Sequence, residues 1–289
     1  MNIWMRTTMI WDLGTKFAHL IIAVCNLFPS LSSEVQRNVA YGPSRSNLAD
    51  IYRPKEGGEH PVVVFFYGGG WRNGSKEGVA YVGAALARKG YVVVVPEYRH
   101  FPTAKLPDIL ADTATAVAWT IGHAHEFGGD ARRVVVAGHS SGAWAATMLA
   151  LYPEWLAQAG SEPGALAGVI GIAGPYAISS MTEQADHEVF SGAGPDMEPI
   201  HGCSPRQPAL LLLTGADDTI VLPVSTTALS DRIRKLGHEV ETHIYAGLGH
   251  GQIVDKILFP FSVWSTVSGD IDRFVSRAKM NSHPKDCAD

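Results

Sequence analysis

Cysteine is scarce in this chain. Cys25, Cys203 and Cys287 are odd in number and far apart, so neither a disulfide framework nor a metal-ligand spacing is expected from them. Positive charge is short as well. Lys and Arg number 23 against 28 Asp and Glu, a net charge of −5. No Lys/Arg cluster is long enough to follow a phosphate backbone, which removes nucleic acid from the expected partners. A membrane-spanning run is also lacking. The apolar stretch from Phe17 to Phe28, with Arg6 and Lys16 ahead of it, contains His19 and Asn26 and is too short to cross a bilayer. No small-x-small cleavage site follows it, and Val24 stands before Cys25 where a lipoprotein signal needs a small residue. Residues 1–34 therefore read as an apolar helical segment docked on the domain, with a signal or anchor as the alternative. Cysteine usage fits a cytoplasmic protein, and the Phe17 to Phe28 stretch leaves membrane association or export as the other possibility. Internal repeats and low-complexity linkers are absent from the sequence, which argues against a solenoid or a string of modules.

What is present is the material of one large core. Of 289 residues 46% are hydrophobic and 18% charged, enough to bury a sizeable interior. Eight strands are expected, at 34–40, 49–53, 61–67, 91–96, 133–139, 168–173, 209–214 and 241–246. Several are unbroken apolar runs, such as Val92-Val93-Val94-Val95, and a strand apolar on both faces belongs inside a parallel sheet covered by helices. Helical patterns lie near 78–89, 108–127, 141–151, 224–236 and 265–278. Lys89-Gly90 ends the first of these with a cation near the helix C-terminus and a glycine stop. The alternation predicts an α/β fold: a doubly wound, mostly parallel eight-stranded sheet with helices on both faces, spanning residues 35–289. One connection breaks the rhythm. Residues 176–208 are rich in Gly, Pro and Ser, and so long an excursion between strands is expected to form a small cap over the site.

The most informative motif is Gly138-His139-Ser140-Ser141-Gly142. A β-branched strand precedes it and a small-residue helix follows, which is the arrangement of a nucleophile elbow. A serine hydroxyl needs a base to take its proton, and the base is normally a histidine oriented by a buried carboxylate. In chain order the acid is expected next, then the histidine. The strand of four leucines at 210–213 runs into Gly215-Ala216-Asp217-Asp218, which offers two carboxylates at a strand end. The last strand runs into Gly247-Leu248-Gly249-His250-Gly251, which makes His250 the expected base. Oxyanion donors are expected from the backbone N–H of Ser141 and from Gly69 and Gly70 in the Tyr67-Gly68-Gly69-Gly70-Trp71 turn, with Gly68 shaping it.

Other residues compete for the same roles. His238 sits at a helix end, His243 inside a strand and His283 in a polar tail. His123 and His125 are two apart on a helix and share no face, so they make no metal pair. His139 is on the wrong side of the chain order for the base and is expected to pack. Gly69 and Gly74 have Walker spacing, but Ser75-Lys76 follows in place of Lys-Ser/Thr. A serine β-lactamase is excluded because residue 143, three after the serine, is alanine rather than lysine. Trp71, His100, Phe101, Tyr176 and Leu248 are candidates to line the substrate pocket. No metal and no cofactor is called for.

Taken together, the Gly-Gly-Gly-Trp turn, Glu97-Tyr98-Arg99-His100-Phe101-Pro102, Phe127-Gly128-Gly129-Asp130 and the serine elbow resemble the carboxylesterases of the hormone-sensitive-lipase-like and BD-FAE-like branches of the α/β-hydrolases. Prenylcysteine methylesterases and kynurenine formamidases are similar in pattern. The resemblance runs from about Val39 to Val275. It implies a Ser-Asp-His triad and places the acid three residues after the glycine of a Gly-x-x-Asp-x-x-Val turn, hence Asp218 in preference to Asp217. Two positions depart from the family pattern: Tyr67 stands where His or Thr is usual, and Ser141 where Ala is frequent. The expected function is hydrolysis of small or medium acyl or aryl esters through an acyl-enzyme on Ser140. Amide or lactone hydrolysis, such as that of an aryl-formamidase, is the alternative within enzymes, and a non-catalytic small-ligand receptor is the alternative outside them. A small-molecule ester is the expected partner; oligomeric state and acyl length are not readable.

Overall fold

A computed structural model describes residues 33–162, 164–182, 184–258 and 265–278 of the chain. The Phe17 to Phe28 stretch lies outside the described residues. In chain order the elements are β1 (Glu34–Ala40), β2 (Leu48–Arg53), β3 (His60–Phe66), α1 (Ala80–Ala87), β4 (Val92–Pro96), α2 (Leu106–His123), β5 (Gly129–His139), α3 (Ser141–Leu151), α4 (Glu154–Gln158), β6 (Gly168–Ile172), α5 (Gln184–Val189), β7 (Leu210–Gly215), α6 (Val224–Lys235), β8 (Val240–Tyr245), α7 (Gln252–Asp255) and α8 (Thr266–Arg277). The strands form one eight-stranded sheet in the order β1-β2-β4-β3-β5-β6-β7-β8. Pairing is parallel from β4 through β8 and antiparallel for β1 with β2 and β2 with β4.

Alternation along the strands sorts side chains into two cores. Val62, Val64, Val134, Val136, Leu210 and Leu212 pack on one face, under Ile109 and Val117 of α2, Trp144 and Met148 of α3, and Leu229 and Ile233 of α6. Val63, Val93, Val135, Leu211 and Leu213 point to the other face, beneath α1 and the Val267, Ile271 and Phe274 stripe of α8. Both faces are covered, and this is why β4 and β7 need apolar residues at every position. Pro107 lies in the first turn of α2, where its missing N–H costs nothing. After α1, Gly90 takes φ +93°, the left-handed turn that the Lys89-Gly90 pair predicts.

The β6–β7 connection contains α5 and short 3₁₀ turns at Ile178–Ser180, Pro195–Met197 and Pro199–His201. It is tied to the body at several places, two of which lie close to the serine elbow's helix and the acid turn. Met181 bridges Val221 just beyond β7, and the Trp144 indole N–H donates to the carbonyl of Met197 at 2.9 Å. One expectation is overturned here: Cys203 is disulfide-bonded. The two other cysteines, Cys25 and Cys287, lie outside the described residues. Linear spacing is a poor guide to such a bond, because Cα proximity in the fold decides it.

The parallel register delivers the carboxyl ends of β3, β5, β7 and β8 to one edge of the sheet. Close backbone packing at that edge makes its glycines irreplaceable. A Cβ on Gly142 would lie 2.2 Å from the Phe66 carbonyl oxygen and 2.5 Å from that of Tyr67. Gly142→Ala is therefore expected to lower the denaturant midpoint by the equivalent of about 3 kcal/mol, measured by urea unfolding of the two chains side by side.

Candidate active site

Ser140 stands between the end of β5 and the start of α3, at φ 55° and ψ −123°. A β-carbon at positive φ costs about 1–3 kcal/mol and persists only where the surroundings enforce it. Here the enforcement is visible. Ser140 N donates to the Ile172 carbonyl of β6 at 2.9 Å. Its own carbonyl accepts from Ala143 N and Trp144 N at 2.9 and 3.1 Å, starting the helix. A Cβ on Gly138 would lie 2.2 Å from the Gly142 oxygen, so both flanks of the elbow must be glycine. The turn lifts the hydroxyl off the sheet and sets it at the positive end of α3.

The base and acid come from the turns after β8 and β7. His250 Nε2 lies 2.9 Å from Ser140 Oγ, and His250 Nδ1 lies 2.8 Å from Asp218 Oδ2. A carboxylate only accepts, so Nδ1 carries the proton, and Nε2 is left to accept from the serine hydroxyl. The Asp218 side chain is fully buried. Its other oxygen accepts from Ile220 N and Val221 N, both at 3.0 Å. Two backbone donors and one imidazole donor satisfy the charge and fix the carboxylate plane. Asp217, its neighbour, is exposed, and its N–H donates to the Leu248 carbonyl at 3.0 Å. The structure thus brings Ser140, His250 and Asp218 into one hydrogen-bonded line and leaves Asp217 outside it.

The glycine turn after β3 lies against the serine. A Cβ on Gly68 would come within 2.9 Å of Ser140 Cβ. Gly69 has φ +149° and Gly70 φ +59°. A side chain on Gly69 would meet the Asn73 carbonyl oxygen at 2.0 Å, and that oxygen's own residue returns a hydrogen bond, Asn73 N to Gly69 O, at 3.0 Å. Ser141 is the first residue of α3 and 2% exposed, with an N–H that has no partner within the helix.

Behind this turn lies a polar network that the sequence did not reveal. The Tyr67 ring stacks on Tyr98 at 4.4 Å between centroids, and its hydroxyl donates to Glu97 Oε1 and stands 3.1 Å from His100 Nε2. The second Glu97 oxygen accepts from Lys76 N at 3.1 Å. Lys76 Nζ in turn reaches Asp50 Oδ1 at 2.9 Å, with both side chains buried. Burial, then the charges of its neighbours, pushes the Tyr67 phenol well above its ordinary range, so it stays a donor. Tyr67, at the position where the sequence departs from the expected family pattern, is thus held by Glu97 and His100. The only clue in the sequence was that departure.

The expected pocket residues divide. His100, Phe101 and Leu248 are half-buried, with the Arg72 guanidinium 4.5 Å over the Phe101 ring. Trp71 and Tyr176, also expected to line the pocket, are buried at 1% and 0% exposure. Trp71 packs edge-on against Trp144 and Phe190 at 5.6 and 5.0 Å, and the N–H of Tyr176 is held by Ser225 Oγ at 2.8 Å. The partners Trp144, Phe190 and Ser225 are distant in sequence, so nothing local marks these two aromatics as core. His243 pairs with Glu241 at 2.8 Å on β8, and His123 Nδ1 faces the Trp119 carbonyl at 2.8 Å. His283 lies outside the described residues.

Among the described residues no helix is long and apolar enough to cross a membrane. Solved structures share the architecture. A truncated carbohydrate esterase from gut microbiota superposes with TM-score 0.72 at 17% identity, covering 85% of this chain and 96% of that one. Apo esterase 2 of Thermogutta terrifontis gives TM-score 0.69 at 22% identity, covering 85% and 94%. At such identities the likeness establishes the α/β-hydrolase fold. By sequence, a probable isoprenylcysteine α-carbonyl methylesterase of Arabidopsis thaliana is 24% identical over 76% of this chain and 51% of its own length. Esterase LipC of Mycobacterium tuberculosis is 28% identical over 75% and 59%. The chain spans about half the length of these curated relatives. The BD-FAE family model matches residues 49–233, taking in the glycine turn, Ser140 and Asp218, while His250 follows beyond its end. With more than half of its residues inside that match, the chain belongs to the BD-FAE family, within the α/β-hydrolase fold.

Proposed function

We propose that this protein is a cofactor-independent serine hydrolase of carboxylic esters. The observation that carries the reading is the unbroken line from Ser140 Oγ through the His250 imidazole to the buried Asp218 carboxylate, at 2.9 and 2.8 Å, beside a glycine turn able to present N–H groups. The esterase names of the relatives support the same reaction class.

On this reading Ser140 Oγ attacks the ester carbonyl while His250 Nε2 takes its proton. The carbonyl oxygen becomes an oxyanion held by the N–H groups of Gly69, Gly70 and Ser141, each such donor contributing about 3 kcal/mol to the transition state. The imidazolium, stabilised by Asp218, gives its proton to the leaving alcohol, and the acyl group remains on Ser140. Water then attacks with His250 again as base, and the acid departs. Retention of all three groups in register for proton transfer is something a mere ligand receptor has no use for. Ile220, Leu222 and Val224, just beyond Asp218, are exposed at 39, 38 and 58%, and an apolar rim of this kind suits an apolar acyl or alcohol part.

The triad alone does not separate esters from activated amides. Hydrolysis of a short-acyl p-nitrophenyl ester and of N-formylkynurenine, compared as kcat/KM, does so. The ester is expected to be favoured by roughly 100-fold or more, and a reversed ranking would establish formamide hydrolysis in its place.

A further inference from the structure

We infer that His139 is a positioning residue that holds the catalytic base in place by pinning the backbone of the loop that carries it; this rests on the hydrolase reading above. His139 is the last residue of β5 and precedes the nucleophile. Its Nε2 lies 2.9 Å from the backbone carbonyl oxygen of His250. A carbonyl only accepts, so Nε2 carries the proton, and the neutral ring keeps a bare Nδ1. That second nitrogen faces the glycine turn: a Cβ on Gly68 would stand 3.0 Å from it. His139 is therefore wedged between the oxyanion turn and the base loop, while its main chain carries Ser140. One side chain thus connects the three strand ends that must keep register.

The base loop needs such a pin. His250 is flanked by Gly247, Gly249 and Gly251, and Gly247 takes φ +73°. The Leu248 carbonyl accepts from Asp217 N at 3.0 Å, which ties the loop two residues before His250, while the bond from Gly249 N to Gln252 Oε1 at 2.9 Å stays within the loop region itself. Asp218 holds the imidazole at Nδ1, a bond about which the ring can still tilt. The hydrogen bond to the His250 carbonyl fixes the backbone from which the ring projects, and so fixes the direction in which Nε2 meets Ser140 Oγ. The two rings lie 4.8 Å apart between centroids, tilted by 45°. Burial first, and the neighbouring His250 second, push the His139 imidazole down to about 4. It thus remains a neutral donor beside a base that must itself become cationic during turnover.

Displacement of a catalytic group by about 1 Å costs on the order of 100-fold in rate, and it does so without weakening substrate binding in proportion. His139→Phe retains a ring but loses the donor. Its kcat on a short-acyl p-nitrophenyl ester is expected to fall about 30-fold with KM changed less than about 3-fold. His139→Gln carries an amide N–H to nearly the same reach and is expected to keep kcat within about 5-fold of wild type. His139→Asn has the same amide on a shorter arm and should fall with the phenylalanine variant, which keeps the comparison decisive if His139→Phe does not fold. A phosphonylation rate at Ser140, followed with a fluorophosphonate probe, should rank the variants in the same order. Wild-type kcat in His139→Phe, or equal losses in the glutamine and asparagine variants, would overturn the pinning role. A wild-type chain that neither turns over the ester nor reacts with the probe would overturn the hydrolase reading itself, so the two failures are told apart.

Discussion

Ser140→Ala is expected to lower ester hydrolysis roughly 10⁴- to 10⁶-fold, with the melting temperature unchanged to within about 3 °C. The size of the loss follows from the role. With no Oγ there is no covalent intermediate, and what remains is direct attack of water aided by the N–H groups of the glycine turn and Ser141. The small effect on stability also has a physical source. The strain at φ 55° belongs to the β-carbon, which alanine retains, and the backbone bonds from Ser140 N to Ile172 and from Ala143 and Trp144 to the Ser140 carbonyl do not involve the hydroxyl. Loss of the one hydrogen bond to His250 leaves Nε2 at a site where His250 is 12% exposed at its side chain, so water can take the vacated position. Steady-state hydrolysis and thermal unfolding of the same preparation separate these two effects. Turnover near the wild-type rate would remove Ser140 from the mechanism.

The second large effect concerns the acid. Asp218→Asn is expected to cost about 10⁴-fold in kcat, and Asp217→Asn less than about 3-fold. An asparagine at 218 can still accept from Ile220 N and Val221 N through its amide oxygen, so the turn should survive. Turned toward His250, however, its NH₂ group demands an acceptor at Nδ1. The imidazole then carries its proton on Nε2 and can no longer accept from Ser140 Oγ. Position 217 has neither burial nor contact with the imidazole: Asp217 is exposed, and its bond to Leu248 is made by the main chain, which asparagine preserves. Kinetics of the two variants side by side test the assignment, and the reverse ranking would show that the carboxylate was chosen wrongly.

How much of this could be read from the chain alone depends on the range of the interactions involved. The sheet was legible because its evidence is local. Val92-Val93-Val94-Val95 and the leucines of β7 state burial on both faces, and Gly90 marks the end of the helix before β4. The elbow was legible for the same reason, since Gly138 and Gly142 are required by contacts within or beside a five-residue turn. Asp218 and Asp217 were harder. They are adjacent, and what distinguishes them is the direction of one turn, set by the bonds of Asp218 Oδ1 to Ile220 N and Val221 N. Only the family resemblance favoured one of them.

Other features depend on a partner far along the chain. Trp71 is enclosed by Phe190 and Trp144, and Tyr176 is held by Ser225.

 

Trp144 packs edge-on against Trp71 from α3, and no local pattern announces that contact. His139 was expected to pack, and it does, but its hydrogen bond to the His250 carbonyl joins two segments that only the sheet brings together. The bonded state of Cys203 is of the same kind. Tyr67 is intermediate: its departure from the family pattern was visible, whereas the Glu97 and His100 partners that give it a purpose were not.

The proposed mechanism passes through a covalent acyl group on Ser140. The most direct test is peptide mass spectrometry of the chain quenched in acid during turnover of a slowly deacylated p-nitrophenyl ester. The acyl mass is expected on the peptide containing Ser140 in the wild-type chain and is expected to be absent from that peptide in Ser140→Ala. Full ester turnover with no acylated peptide, or an acyl group carried by a different residue, would contradict it.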